Sequence, residues 1–254
     1  MKNNTTNTAA GVTSTTRSTF NAYEEKVNRQ KDFVVLQVRI SSTRLPGKLL
    51  LPLKGLSIFE HILLRLKEVK GSDGIIVATT ADTAPLISKT ARRHGAELLV
   101  GSENDVLSRY AQAVNTYGLR NVIRATGDNP LVDIEYAHKA LSLHEKENAD
   151  LTTFPALPYG TGIEVIRGTT LLRVDERAAD PFEREHITQY IYRHEDSFLV
   201  LRADPDPPMA RPDVRLTVDT EEDYRKMSEI YENLYNGTPI KLTDVLVFLD
   251  KKGN

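Results

Sequence analysis

Cysteine is absent from the 254-residue chain. That excludes thiolate nucleophiles, disulfides and cysteine-ligated zinc or iron–sulfur centres, and it fits a reducing compartment. No apolar run approaches the roughly 18 residues of a membrane span, and the N-terminus has no signal-peptide core, so a soluble cytoplasmic protein is expected. A basic excess is missing as well: 33 lysines and arginines face 35 aspartates and glutamates, for a formal charge of −2. A general nucleic-acid binder is therefore not expected, and any anion site must be local. No internal repeat is visible. The length suits one substantial core and a single main domain.

Residues 1–20 are mostly Thr, Asn and Ser, with Phe20 as their only aromatic. They cannot bury enough apolar surface to offset ordering, so residues 1–32 are expected to form a flexible tail, with a short helix over 21–32. From residue 33 onward the pattern alternates. FVVLQV (33–38), GIIVATT (74–80), AELLV (96–100) and NVIRAT (121–126) are dense in β-branched and aliphatic residues, as strands covered on both faces should be. SIFEHILLRLKEV, starting at Ser57 with Glu60 three residues on, predicts a capped amphipathic helix. APLISKTARRHG and NDVLSRYAQAVNTYG predict two more, each ending in Gly. The rhythm implies an α/β fold, a three-layer αβα sandwich on a mainly parallel sheet, with ligands at the carboxyl ends of its strands.

Beyond residue 150 the rhythm loosens. A strand is expected at 162–166, a helix over PFEREHITQYIYRH, an extended proline-rich stretch from 198 to 220, and a last helix over TEEDYRKMSEIYENLY, capped by Thr220 with Asp223. This half, chiefly 151–212, is expected to supply an acceptor pocket or a subunit contact within the 33–254 domain.

Positive charge gathers in QVRISSTRLPGK (37–48), directly behind the first strand. Arg39, Arg44 and Lys48, with the hydroxyls of Ser41, Ser42 and Thr43 and the backbone of Gly47, have the makings of a polyphosphate cradle. The segment is not a Walker loop, because G-x-x-x-x-G-K-[ST] is absent; the alternative is a solvated basic turn. Asp128, in ATGDNPLVD behind the fourth strand, could hold Mg²⁺ or simply begin a turn. Asp219, in RLTVDTEED, could do the same or serve as a helix N-terminal carboxylate. Cations and carboxylates at strand ends together suit phosphoryl chemistry.

These segments resemble a known family. QVRISSTRLPGK resembles the Q-A-R-M-G-S-T-R-L-P-G-K signature of the cytidylyltransferases that include the spore coat polysaccharide biosynthesis protein SpsF. The synthetases of CMP-linked 3-deoxy-manno-octulosonate and sialic acids are more distantly similar. The likeness continues in order through GSENDVLSRY, RATGDNPLVD, EREHIT and RLTVDTEED, over roughly residues 33–235. The resemblance implies a glycosyltransferase-A-like nucleotidyltransferase fold and a Mg²⁺-dependent transferase that moves CMP from CTP to an acidic sugar or phosphorylated acceptor. Polysaccharide or related biosynthesis is the implied setting, and a homodimer through about 180–212 is plausible.

By the same resemblance Arg39, Arg44 and Lys48 bind the triphosphate, with Gln37 and Ser42 near the nucleotide. Asp128 and Asp219 match the metal carboxylates, and Asp105 and Arg109 the nucleotide side, with a helix N-terminal acid and a solvated Arg as the alternative for these two. Glu164, Arg184, Glu185 and His186 fall where the acceptor is expected; for His186 a packed or surface histidine is the alternative. The sequence departs from the pattern at Val38, Ile40 and Ser41, and Ser41 stands where a Gly could serve a positive φ. Tyr159 and Gly162 replace two aspartates in LPYGTGIEVI, which points to a different acceptor. Two other readings remain open: a glycosyltransferase using a nucleotide-sugar donor, though no Asp-x-Asp motif stands in that setting, and a non-catalytic nucleotide-binding protein.

Overall fold

The computed structural model describes residues 31–253. The expected tail and its helix lie outside them, except that Lys31 and Asp32 already belong to the first strand. Nine strands and nine α-helices follow among the described residues. The chain runs β1 (Lys31–Gln37), a 3-10 turn (Lys48–Leu50), the short hairpin β2 (Pro52–Leu53) and β3 (Leu56–Ser57), then α1 (Ile58–Leu66). Next come β4 (Gly74–Thr79), α2 (Ala84–Arg93), β5 (Glu97–Val100), α3 (Val106–Tyr117), β6 (Leu119–Thr126) and α4 (Ile134–Glu147). The second half holds β7 (Leu151–Thr153), β8 (Glu164–Arg167), α5 (Gly168–Arg177), α6 (Pro181–Glu185), α7 (Gln189–Arg193), β9 (Val200–Arg202), α8 (Glu221–Leu234) and α9 (Leu242–Lys252).

Seven strands form one sheet in the order β5-β4-β1-β6-β8-β7-β9. The first four pair in parallel, β8 runs antiparallel to both β6 and β7, and β9 rejoins β7 in parallel. Alternate residues of β1 feed opposite layers: Val34 and Leu36 join one buried cluster with α1, α4, α8 and α9, while Val35 joins a second with α3, α5 and α7. Each layer excludes water from one face of the sheet, which is the main favourable term in its stability. Both capping boxes foreseen, Ser57 with Glu60 and Thr220 with Asp223, are present. No helix among the described residues is long and apolar enough to cross a membrane.

One expected helix is corrected. PFEREHITQYIYRH forms two short helices, α6 and α7, broken at His186, whose φ of −107° and ψ of 78° leave the helical region. The break places Ile187 and Ile191 in the core beside α3. The strain expected at Ser41 is absent: among the described residues only Lys54 and Asn148 take positive φ without being Gly.

Register decides where chemistry can gather. Gln37 pairs with both Ala78 and Thr126, so β1, β4 and β6 end at the same level. The loops after them share one edge of the sheet, the carboxyl edge where open α/β sheets bind ligands.

A buried histidine ties α4 to β7. His144 Nδ1 lies 3.0 Å from Thr152 Oγ1, the ring is 1 % exposed, and Nε2 has no partner. Burial, helped by the charge of Arg167, pushes its pKa from 6.5 down to about 4. Folding therefore favours neutral His144: its contribution is complete above pH 6.5 and is lost as pH falls toward 4. The full span corresponds to about 3 kcal/mol. Urea unfolding at pH 7 and 4.5 should show that part of the acid destabilisation vanishing in His144→Gln; an identical pH slope in both proteins would contradict this.

Candidate active site

The loop after β1 is built by its neighbours. Val38 continues the ladder, donating its N–H to Ala78 O at 3.1 Å and accepting from Thr79 Oγ1 at 3.1 Å. Ile40 N–H then bonds Thr83 Oγ1 at 3.0 Å, pinning the loop to the segment after β4. Buried Leu49 anchors the 3-10 turn that carries Lys48. From the other side Gly127 donates to Gln37 O at 3.0 Å, and a Cβ there would stand 2.8 Å from Val38 Cγ1, so the two loops touch only because Gly has none.

The segments bearing the two aspartates are joined through their backbone. Asp128 O accepts from Val218 N at 2.8 Å and from Thr217 Oγ1 at 3.2 Å. A third strip docks on them: Tyr159 N–H bonds Val214 O at 2.8 Å and Leu216 N–H bonds Tyr159 O at 2.7 Å. Gly160 has a φ of +92°, and an added Cβ would lie 2.7 Å from Thr217 N. Gly160→Ala is thus both strained and overpacked, and should cost about 2 kcal/mol in chemical denaturation. A stability within 0.5 kcal/mol of wild type, roughly the effect of an ordinary surface change, would show that this contact is not tight.

Together these loops enclose a cleft of about 670 Å³. Of the residues singled out in the sequence, Gln37, Arg39, Ser42, Arg44, Lys48, Arg109, Asp128, Glu164, Glu185, His186 and Asp219 line it. Asp105 and Arg184 do not. Asp105 caps α3 by accepting from Ser108 N at 2.9 Å, and its other oxygen binds Arg184 Nε at 2.7 Å, while Arg184 also grips Asp175 at 2.6 Å. Asp105 thus takes the helix N-terminal role that was its alternative, and the two residues pair with each other across α3 and α6 instead of lining the cleft.

Charge converges on Asp219. Lys48 Nζ lies 2.8 Å from Asp219 Oδ1 and 3.8 Å from Asp128 Oδ2. Arg44 reaches the same Oδ1 at 3.1 Å, and Arg215 holds Oδ2 at 2.8 Å. Burial alone would raise the Asp219 pKa, but Lys48, Arg215 and Arg44 outweigh it and hold the carboxyl below its usual range. Asp128 Oδ1 is buried with no hydrogen-bond partner. An orphaned carboxyl oxygen in the same cleft as a second carboxylate suits a hard divalent cation that takes its remaining ligands from phosphate and water. Two carboxylates, with no third ligating side chain grouped with them among the described residues, would leave such a cation to complete its shell from phosphate and water.

Elsewhere the cleft is lined by ion pairs. Arg39 meets Glu185 at 2.9 Å, so a cation of the β1 loop and a carboxylate of α6 face each other. Arg109 is 1 % exposed; its guanidinium donates to Ser102 O, and burial lowers its pKa. His186 packs on Phe182 with ring centroids 4.5 Å apart. Glu164 binds Arg124 at 2.8 Å and accepts from Tyr192 Oη at 2.8 Å. Arg124 was not foreseen as a site residue, although a lone arginine in the apolar strand NVIRAT was a signal. Arg215, four residues before Asp219 in RLTVD, was missed as well.

The cytidylyltransferase family model matches residues 33–242. The chain belongs to the cytidylyltransferase family. An uncharacterized protein of Methanocaldococcus jannaschii is 34% identical over 220 residues, covering 85% of this chain and 89% of its own. The spore coat polysaccharide biosynthesis protein SpsF of Bacillus subtilis is 28% identical over 223 residues, covering 85% and 93%. Among solved structures, a cytidylyltransferase from Leptospira borgpetersenii superposes with a TM-score of 0.80 at 28% identity over 89% of this chain and 95% of that one. A CMP:2-keto-3-deoxy-manno-octonic acid synthetase, solved with CTP, shares the fold at a TM-score of 0.63 and 16% identity, covering 80% and 99%. The mainly parallel sheet layered between helices is the nucleotidyltransferase fold expected from the sequence.

Proposed function

We propose that this cytidylyltransferase transfers CMP from CTP, with Mg²⁺, to an acidic sugar or phosphorylated acceptor and releases pyrophosphate. One observation carries the reading: Arg44 and Lys48 converge with Asp128 and Asp219 in a single cleft at the carboxyl edge of the sheet. The family membership and the CTP complex of a synthetase with the same fold support the choice of nucleotide.

An acceptor oxygen attacks the α-phosphorus in line, the new P–O bond forms as the bond to the β-phosphate oxygen breaks, and pyrophosphate leaves with the electron pair. Arg39, Arg44 and Lys48 bind the triphosphate and offset charge growing on the leaving group. Gln37 and Ser42 lie at the same cleft wall, where they can contact the nucleoside. Asp128 and Asp219 would hold the cation, which supplies charge neutralisation at the α-phosphate and eases ionisation of an acceptor hydroxyl. Glu185 and His186 face the remaining space and can orient the acceptor, while Glu164 shapes the floor through Arg124.

Pyrophosphate release from CTP, UTP, ATP and GTP against a panel of acidic sugars and sugar phosphates tests the proposal. Release that requires CTP and one acceptor supports it. Release of a nucleoside mono- or diphosphate from a nucleotide-sugar donor, with no pyrophosphate from CTP, would favour a glycosyltransferase instead.

A further inference from the structure

Arg44 and Lys48 are required on phosphate oxygens during cytidylyl transfer, yet both stand on Asp219. Lys48 Nζ holds Asp219 Oδ1 at 2.8 Å and Val218 O at 2.7 Å, and its side chain is 14% exposed. Arg44 touches the same Oδ1 from a position 62% exposed, so it is only lightly held there. The other oxygen is held differently. Arg215 bonds Asp219 Oδ2 while its guanidinium is also fixed by Asp223 at 3.1 and 3.3 Å and lies 5.1 Å beneath the Tyr159 ring.

The consequence is an asymmetry between the two carboxylate oxygens. Oδ2 is committed to a guanidinium with three other anchors, whereas Oδ1 is covered only by cations that a triphosphate can attract. Asp128, whose Oδ1 is unpartnered, shares Lys48 with it through Oδ2 at 3.8 Å. A single ammonium 2.8 Å from one carboxylate and 3.8 Å from the other offsets their mutual repulsion without satisfying Asp128.

We propose that Lys48, seconded by Arg44, is a place-holder for the divalent cation: it covers Asp219 Oδ1 in the nucleotide-free protein and leaves when triphosphate arrives. Nucleotide binding then opens the metal site, because the phosphates favour the withdrawn position of both cations and the carboxylates are released together. By linkage the metal tightens nucleotide binding as much as nucleotide tightens metal binding. This rests on the cleft being a nucleotide–metal site, but not on the base or the acceptor.

The test uses Mn²⁺ alone, its free concentration read by electron paramagnetic resonance, on protein without nucleotide. Removing any cation near the carboxylates eases repulsion of Mn²⁺, so Arg39→Met, whose guanidinium pairs with Glu185 and not Asp219, sets the background and should gain less than either variant below. Here Lys48→Met should bind Mn²⁺ about tenfold more tightly than wild type, and Arg44→Met about threefold, within the range usual for linked sites. Adding Asp219→Asn to Lys48→Met should abolish the gain. Unchanged or weaker Mn²⁺ binding in folded Lys48→Met overturns the place-holder. Should that variant fail to fold, unchanged affinity in Arg44→Met overturns it too. Calorimetric binding of CTP to wild type checks the functional reading separately: CTP bound with Mn²⁺ affinity unaltered by Lys48→Met sinks the place-holder alone, whereas tightened Mn²⁺ without CTP binding supports it and sinks the nucleotide assignment.

Discussion

Asp128→Ala should lower kcat/KM for pyrophosphate release by about a thousandfold, roughly 4 kcal/mol of transition-state stabilisation, while the protein stays folded. The catalytic loss follows from the position of the carboxylate, whose Oδ1 is the orphaned oxygen of the cleft and whose Oδ2 faces Lys48. The fold should survive because the structural work of Asp128 is done by its backbone, which bonds Val218 and Thr217 in any variant. Loss of the side chain even removes an unsatisfied buried atom, a cost to the native state. Steady-state kinetics with an acceptor that turns over, together with a thermal melt, measure both halves. Normal turnover in a folded Asp128→Ala protein would take this residue out of the mechanism.

Glu164→Ala should destabilise the protein by about 3 kcal/mol, because it strands a guanidinium. Arg124 and Glu164 are 21% and 16% exposed, and Arg124 Nε already lacks a partner. Burial works against the Arg124 charge, and Glu164 outweighs it, raising the Arg124 pKa. Tyr192 would lose its acceptor at the same time. Glu164→Gln keeps the shape and one acceptor oxygen, so it should cost less than the alanine change. The sequence alone suggested an acceptor contact at Glu164; a residue with that role only would alter the KM for acceptor and leave the denaturation midpoint where it was. That pattern would refute the present assignment.

The wall of the cleft where cations meet carboxylates was legible in the sequence because its chemistry is local. Arg39, Arg44 and Lys48 lie within ten residues of one another behind a strand, and Asp128 and Asp219 each follow an apolar run, so strand ends could be inferred from pattern and ligand position from strand ends. The ion pairs of Glu164 and Arg184 were not, because their partners are distant in sequence. Arg124 finds Glu164 only when β8 pairs antiparallel to β6, and Arg184 turns to Asp105 only when α6 packs on α3. The single helix expected over PFEREHITQYIYRH failed for a related reason: burying Ile187 and Ile191 against the sheet required a break at His186 that helical periodicity does not announce. Helices α4, α5 and α9 went unforeseen, although IEYAHKALSLHEKE has the apolar spacing of a half-buried helix, with Tyr136, Ala137, Ala140, Leu141 and His144 on its inner face.

Calorimetric titration of CTP in the presence of Mg²⁺, into wild type and into Lys48→Ala, is the most direct test of the claim that this cleft is a triphosphate and metal site. Wild type should bind CTP; UTP, ATP and GTP should bind at least about tenfold more weakly, and Lys48→Ala should weaken CTP by at least about tenfold, or 1.4 kcal/mol. Equal binding of all four nucleotides would contradict the cytidylyl assignment. CTP affinity unchanged by Lys48→Ala would contradict the cradle itself.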